Sequence, residues 1–120
     1  MTFAVEVVLK GRDFAVTETV SVPHGEPATW DDAAVRAVLV EVLRTLDRVQ
    51  NPDSWQQRSV VLQGFSWIVE PAEGGVILAI EIPAGAVVAG PFQIDATELD
   101  GMITRVLRTE RAGFHQRTIH

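Results

Sequence analysis

Phe3, Val5, Val7 and Leu9 alternate with Ala4, Glu6, Val8 and Lys10, and this period of two predicts a strand with one strongly apolar face. Gly11-Arg12-Asp13 supplies a tight turn. Phe14, Val16, Val20 and Val22 then share a face, with Thr17, Thr19 and Ser21 opposite. Two alternating runs joined by so short a turn form a β-hairpin. Glu18 interrupts the apolar face of the second run. An unpaired carboxylate is costly to bury, so Glu18 is expected at the open rim of the sheet.

Pro23-His24-Gly25-Glu26-Pro27 is a loop. Thr29 is expected to cap the helix that follows, with Asp31 and Asp32 in its first turn at the positive end of the dipole. The period changes to that of a helix running to about Gln50, where Asn51-Pro52 stops it. Its apolar positions are Val35, Val38, Leu39, Val42, Leu43, Leu46 and Val49, with Ala34, Ala37 and Val40 beside them. That stripe is wider than one sheet requires. The helix is therefore expected to meet the sheet on one side and another helix or a partner subunit on the other. Asp32 with Arg36, and Glu41 with Arg44, have the spacing to pair along the polar strip.

Asn51-Pro52-Asp53-Ser54 is a turn, and Trp55 follows in a polar linker. Val60 to Val69 reads as one long strand kinked at Gly64, with Phe65, Trp67 and Val69 on one face and Leu62 and Ile68 on the other. Pro71 is expected to end it, and Glu73-Gly74-Gly75 to turn the chain into a strand carrying Val76, Leu78, Ile80 and Ile82. Ala86–Ala89, hemmed by Gly85 and Gly90-Pro91, is an edge strand or a buried loop. The last helix is placed at Ala96–Arg111, with Leu99, Ile103, Val106 and Leu107 facing in and Gly113 as its C-terminal cap. Phe114–His120 is then a tail, frayed or docked on a neighbour.

The order is β-β-α-β-β-(β)-α, an α+β class with a four- to five-stranded antiparallel sheet and two helices on one face. The far face would carry Val60, Leu62, Ile68, Ile77 and Ala79. So apolar a face implies cover by another subunit, most simply in a C2 homodimer.

Val-Leu-Arg-Thr occurs at Val42–Thr45 and again at Val106–Thr109. Asp31 and Asp95 each stand eleven residues before the repeated valine, and Val22-Pro23-His24-Gly25 matches Ile82-Pro83-Ala84-Gly85. An internal ββα duplication accounts for these matches. So does the patterning that any strand–turn–helix segment requires.

A chain of 120 residues is expected to form one domain spanning 1–120. It has no cysteine, and its first residues lack the basic and apolar regions of a signal peptide, so a reducing, cytoplasmic setting is expected. Nine of the ten basic residues are arginine, which, with abundant Ala and Val, points to a high-GC bacterial source. The net charge of −6 and pI near 4.9 argue against nucleic acid, and no apolar run is long enough to span a bilayer. Arg105, Arg108, Arg111 and Arg117 suit the negative end of a helix rather than a phosphate backbone.

No nucleotide-binding glycine motif and no zinc-protease motif is present. Gly64-Phe65-Ser66-Trp67-Ile68 opens like a nucleophile elbow, but Ile68 stands where the final glycine is required, which leaves Ser66 an ordinary strand serine. Folding His24 back onto Asp31 and Asp32 would make a group able to bind a metal or move a proton; their plainer roles are a solvated loop residue and helix-start acids. Trp30, Trp55, Phe65, Trp67 and Phe92 are candidates to line a pocket with Arg36 or Arg105 holding an anion; alternatively Trp30 staples the start of the helix to the sheet. The ligand-binding candidates are therefore His24, Asp31, Asp32, Trp67 and Arg105. No metal or cofactor is implied and no catalytic group is assigned. The expectation is a homo-oligomeric binding or assembly module without catalytic activity, its partner a second copy, a protein or a small molecule. The alternative is a small enzyme or ligand carrier with a pocket at a subunit interface.

Overall fold

The computed structural model describes residues 1–52 and 60–119, with side chains as far as Glu110. The chain forms β1 (Thr2–Leu9), β2 (Ala15–Ser21), a 3-10 turn (Pro27–Thr29), α1 (Asp32–Gln50), β3 (Ser66–Ala72), β4 (Gly75–Ile82), β5 (Gly85–Phe92) and α2 (Ala96–Ile119). This is the expected α+β order with all five strands present. The sheet order is β2-β1-β5-β4-β3, and every neighbouring pair is antiparallel.

Alternation decides which side of the sheet is buried. Phe3, Val5, Val7 and Leu9 of β1 lie inside, with Val76, Leu78 and Ile80 of β4 and Val87, Ala89 and Phe92 of β5. Cross-strand register puts these on one face: Val7 opposes Val87, Val87 opposes Ile80, and Ile80 opposes Trp67. α1 lies against β1, β2 and β5, and α2 against β3 and along α1. The two helices and the inner strand positions make a single apolar cluster. The breadth of α1 is thereby explained within the chain, because one flank of its stripe meets the sheet and the other meets α2.

Phe92 closes β5 inside this cluster. It is fully buried and meets Phe3 and Trp30 edge to face, at centroid distances of 5.1 and 5.2 Å. Trp30 stands between the 3-10 turn and α1, and its indole N–H donates to the Gly25 carbonyl at 2.8 Å. It staples the start of α1 to the sheet, as one of its two expected roles required. Asp31, not Thr29, is the helix cap: its carboxylate accepts from the Ala34 N–H at 2.9 Å, while the Thr29 hydroxyl donates to the Glu26 carbonyl. Asp95 caps α2 in the same way, accepting from the Glu98 N–H at 3.1 Å.

Several boundaries differ from those the sequence suggests. β3 begins at Ser66 rather than Val60, because Gly64 takes a positive φ of 81° and breaks the extended run. Leu62, freed from the strand, turns into the core at 4% exposure, and Val60 packs beside it instead of on the far face. Pro71 lies within β3 opposite Val76; an edge strand tolerates the missing N–H. Gly85–Phe92 is neither an edge strand nor a loop but the central strand, between β1 and β4. Gly85 allows that placement, since a Cβ there would lie 2.3 Å from the Val8 carbonyl oxygen. α2 runs on through Gly113 to Ile119, so Gly113 is not a cap and the tail is helical. Asp53, Ser54 and Trp55 lie outside the described residues.

The segments matched as a repeat share helix starts and buried valines: Asp31 and Asp95 both cap, and Val42 and Val106 are both buried. Their strands are not equivalent. β2 is an edge strand leading towards α1, whereas the turn after β4 leads into β5.

Phe92→Ala is expected to cost about 3–5 kcal/mol, the range for emptying a buried aromatic site. Equilibrium urea unfolding checks this, and a loss below about 1 kcal/mol would show that the Phe3–Phe92–Trp30 cluster does not anchor the core.

Candidate functional site

With both helices on one side, the other side of the sheet is bare among the described residues. Its residues are the outward positions of five strands. Register sets them in rows. Thr17, Glu6, Val88, Ala79 and Ile68 cross the middle, and Ala15, Val8, Ala86, Glu81 and Ser66 form the next row. On the other side of the middle row stand Thr19 with Ala4, and Ile77 with Glu70. Val8 is 43% exposed and Ile68 51%, while Ile77, Ala79 and Val88 are half-buried by their neighbours.

The apolar side chains run obliquely from Val8 on β1, across Ala86 and Val88 on β5, to Ala79 and Ile77 on β4 and Ile68 on β3. With strands about 4.8 Å apart, three strand steps make this band about 14 Å long. Glu6 borders it on one side, Glu81 on the other, and Glu70 closes its far end. No strand residue pointing to this side is basic; Lys10, one step beyond β1, stands at the rim. None of the three glutamates is in an ion pair among the described residues.

The helical side is different. There, four ion pairs form among the described residues. Asp32 holds Arg105 through three hydrogen bonds of 3.0–3.3 Å, Arg36 pairs with Glu110, and Glu41 with Arg44 at 2.8 Å. Glu18, the acid on the inner face of β2, reaches Arg48 of α1 at 2.9 Å, so the sheet rim and a cation together solve its burial. The expected Asp32–Arg36 pair is replaced by two pairs that tie α1 to α2.

At one end the bare face deepens into an open groove of about 760 Å³, whose lining includes Val8, Lys10, Phe65, Ser66, Glu81, Ile82 and Pro83. Gly85, which has no side chain, and Ala86 complete the lining.

The residues singled out from sequence do not converge here. Asp31 is used as a cap. Asp32 and Arg105 meet, but they satisfy each other across the two helices. His24 lies in the loop after β2, its carbonyl accepting from the Met1 main-chain nitrogen at 3.0 Å. Trp67 faces inward on β3, beside Leu62, Phe65 and Leu107 around a small cavity of about 260 Å³. Trp30 and Phe92 are core. Ser66 opens an extended strand and is exposed, opposite Glu81, without the strand–turn–helix setting of a nucleophile. Among the described residues no group of three or more His, Asp or Glu side chains is placed to hold a metal, and no helix is long and apolar enough to cross a membrane. Sequence reading found Ile68, Ile77 and Ala79 on the bare side. It missed Val8, Val88 and the bordering Glu6, Glu70 and Glu81, because assigning them required β5 to be central. Compared with known protein families, curated proteins and solved structures, the chain matches none.

The hydrogen bonds from Arg105 hold the Asp32 carboxyl below its ordinary value of 3.8. A carboxylate with a depressed folded-state pKa stabilises the fold above the unfolded value, and that contribution fades as pH falls through the folded one. Carboxyl ¹³C titration should therefore place the Asp32 midpoint below 3.8, and Arg105→Gln should return it towards that value. An unchanged midpoint in the variant would show that the pair does not hold in solution.

Proposed function

We propose that this protein is a non-catalytic binding or assembly module and that its working surface is the bare face of the sheet. The observation that carries this reading is the oblique apolar band of Val8, Val88, Ala79, Ile77 and Ile68. A band of that kind gains free energy when water is removed from it, at roughly 25 cal/mol for each Å² covered. Asp31 is used as a helix cap and Asp32 and Arg105 satisfy each other, so these three are engaged in holding the helices, which supports binding over catalysis. Self-association into a homodimer is one form of such assembly, and capture of another chain is the other; both bury the same band.

A second reading is favoured by the groove beside it. Val8, Ser66, Glu81 and Ala86 belong to both the groove and the face, so a chain seated on the face would roof the groove. That makes a ligand carrier, or a small enzyme, with its pocket at a subunit interface.

Native mass spectrometry of protein purified gently from its own host tests the first reading. Wild-type protein is expected to carry a companion, a second copy or another chain, that is absent when Ile68→Ser and Val88→Ser are combined. Circular dichroism should be unchanged, because Ile68 is half-exposed and Val88 lies outside the core. A wild-type chain that is unaccompanied at every concentration, or a double variant that keeps the same companion, would contradict the reading.

A further inference from the structure

We infer that the bare sheet face is shaped and charged for a cationic amphipathic helix of another polypeptide; this rests on the face being the working surface. The apolar band is about 14 Å long by strand spacing, close to three turns of an α-helix at 5.4 Å each. A helix lying along it would place one apolar stripe over Val8, Val88, Ala79 and Ile68. Its two flanks would then fall over the carboxylates that border the band, Glu6 on one side and Glu81 on the other, with Glu70 at the end. Lysine or arginine on both flanks would meet all three.

Charge chooses among the possible occupants. A second copy placed face to face would bring three more glutamates against these three, and no described strand residue pointing to this side is basic to answer them. Covering carboxylates without partners is expensive, and like charges brought together weaken association further. An anionic lipid surface or a nucleic acid meets the same repulsion. A basic partner turns each of these costs into attraction. The glutamates have no intramolecular ion-pair partner among the described residues to give up, unlike Asp32, Glu41 and Glu110 of the helical side.

The test uses the whole chain and synthetic helical peptides of about four turns, with binding read by fluorescence anisotropy. One peptide carries a leucine stripe flanked by lysines, a second has glutamates in place of the lysines, and a third is the first with its order scrambled. The lysine peptide alone should bind appreciably. Combining Glu6→Gln, Glu70→Gln and Glu81→Gln should weaken it about tenfold or more, since exposed pairs contribute a few-fold each. Raising salt from about 0.05 to 0.5 M should act in the same direction. Equal binding of the lysine and glutamate peptides, or of the scrambled one, would overturn the inference. So would a wild-type homodimer through this face that the triple glutamine variant fails to strengthen. Either result leaves the surface itself standing. Only if Ile68→Ser with Val88→Ser alters no association, with peptide or with self, does the reading of the surface fail as well.

Discussion

Two helices packed over one side of a five-stranded sheet is the constraint from which the remaining features follow. α1 covers β1, β2 and β5, α2 covers β3, and the helices close the layer by packing on each other. Nothing in the described chain crosses to the opposite side. Strand alternation therefore separates the sequence into two surfaces with different duties. Inner positions are large and apolar and converge on Phe92, Leu39, Leu78 and Ile103. Outer positions are a mixture of small, polar, apolar and acidic residues that no layer of described residues covers.

The two outer surfaces of the molecule handle charge in opposite ways. On the helices each arginine near the α1–α2 seam has an acid beside it, and Asp32–Arg105 and Arg36–Glu110 join one helix to the other. Such exposed pairs add little stability, but they neutralise charge across the seam. On the sheet Glu6, Glu70 and Glu81 border an apolar band with no ion-pair partner among the described residues. Since the chain's net charge is −6, a locally unanswered acidic rim fits the overall excess, and the sheet face is where part of that excess is displayed. This contrast, rather than the amount of apolar area, is what the proposal of a surface for another chain rests on.

Much of the fold was legible because it rests on local periodicity. The β1–β2 hairpin, α1, β4 and the start of α2 follow from spacing, turns and capping acids that act within a few residues. What was not legible depends on which strand neighbours which. Ala86–Ala89 is short and flanked by Gly and Pro, local signals that suit an edge; it became central because Gly85 lets β5 approach β1 closely. Pro71 has the local meaning of a strand end, yet β3 continues through it because no further strand needs its N–H. Glu18 looked anomalous until Arg48, thirty residues away, was seen beside it. The candidate site was hidden for the same reason. Glu6, Glu81 and Val88 are ordinary outward residues in sequence, and only the β1-β5-β4 adjacency makes them border a common band. His24, Asp31 and Asp32 were conspicuous by residue type, but spacing alone does not show that a cap and a cross-helix ion pair already occupy two of them.

As proposed, the chain would meet a partner through the bare sheet face and not through its helices or strand edges. Methyl NMR spectra recorded as the chain associates, with itself or with a bound polypeptide, test it most directly. The account predicts that the methyl signals of Val8, Ile68, Ile77, Ala79 and Val88 shift or broaden together, while those of Val38, Leu39 and Val42 in α1 stay in place. Perturbation confined to the helical methyl groups or to the β2 edge, with the Ile68 and Val88 signals unmoved, would contradict it.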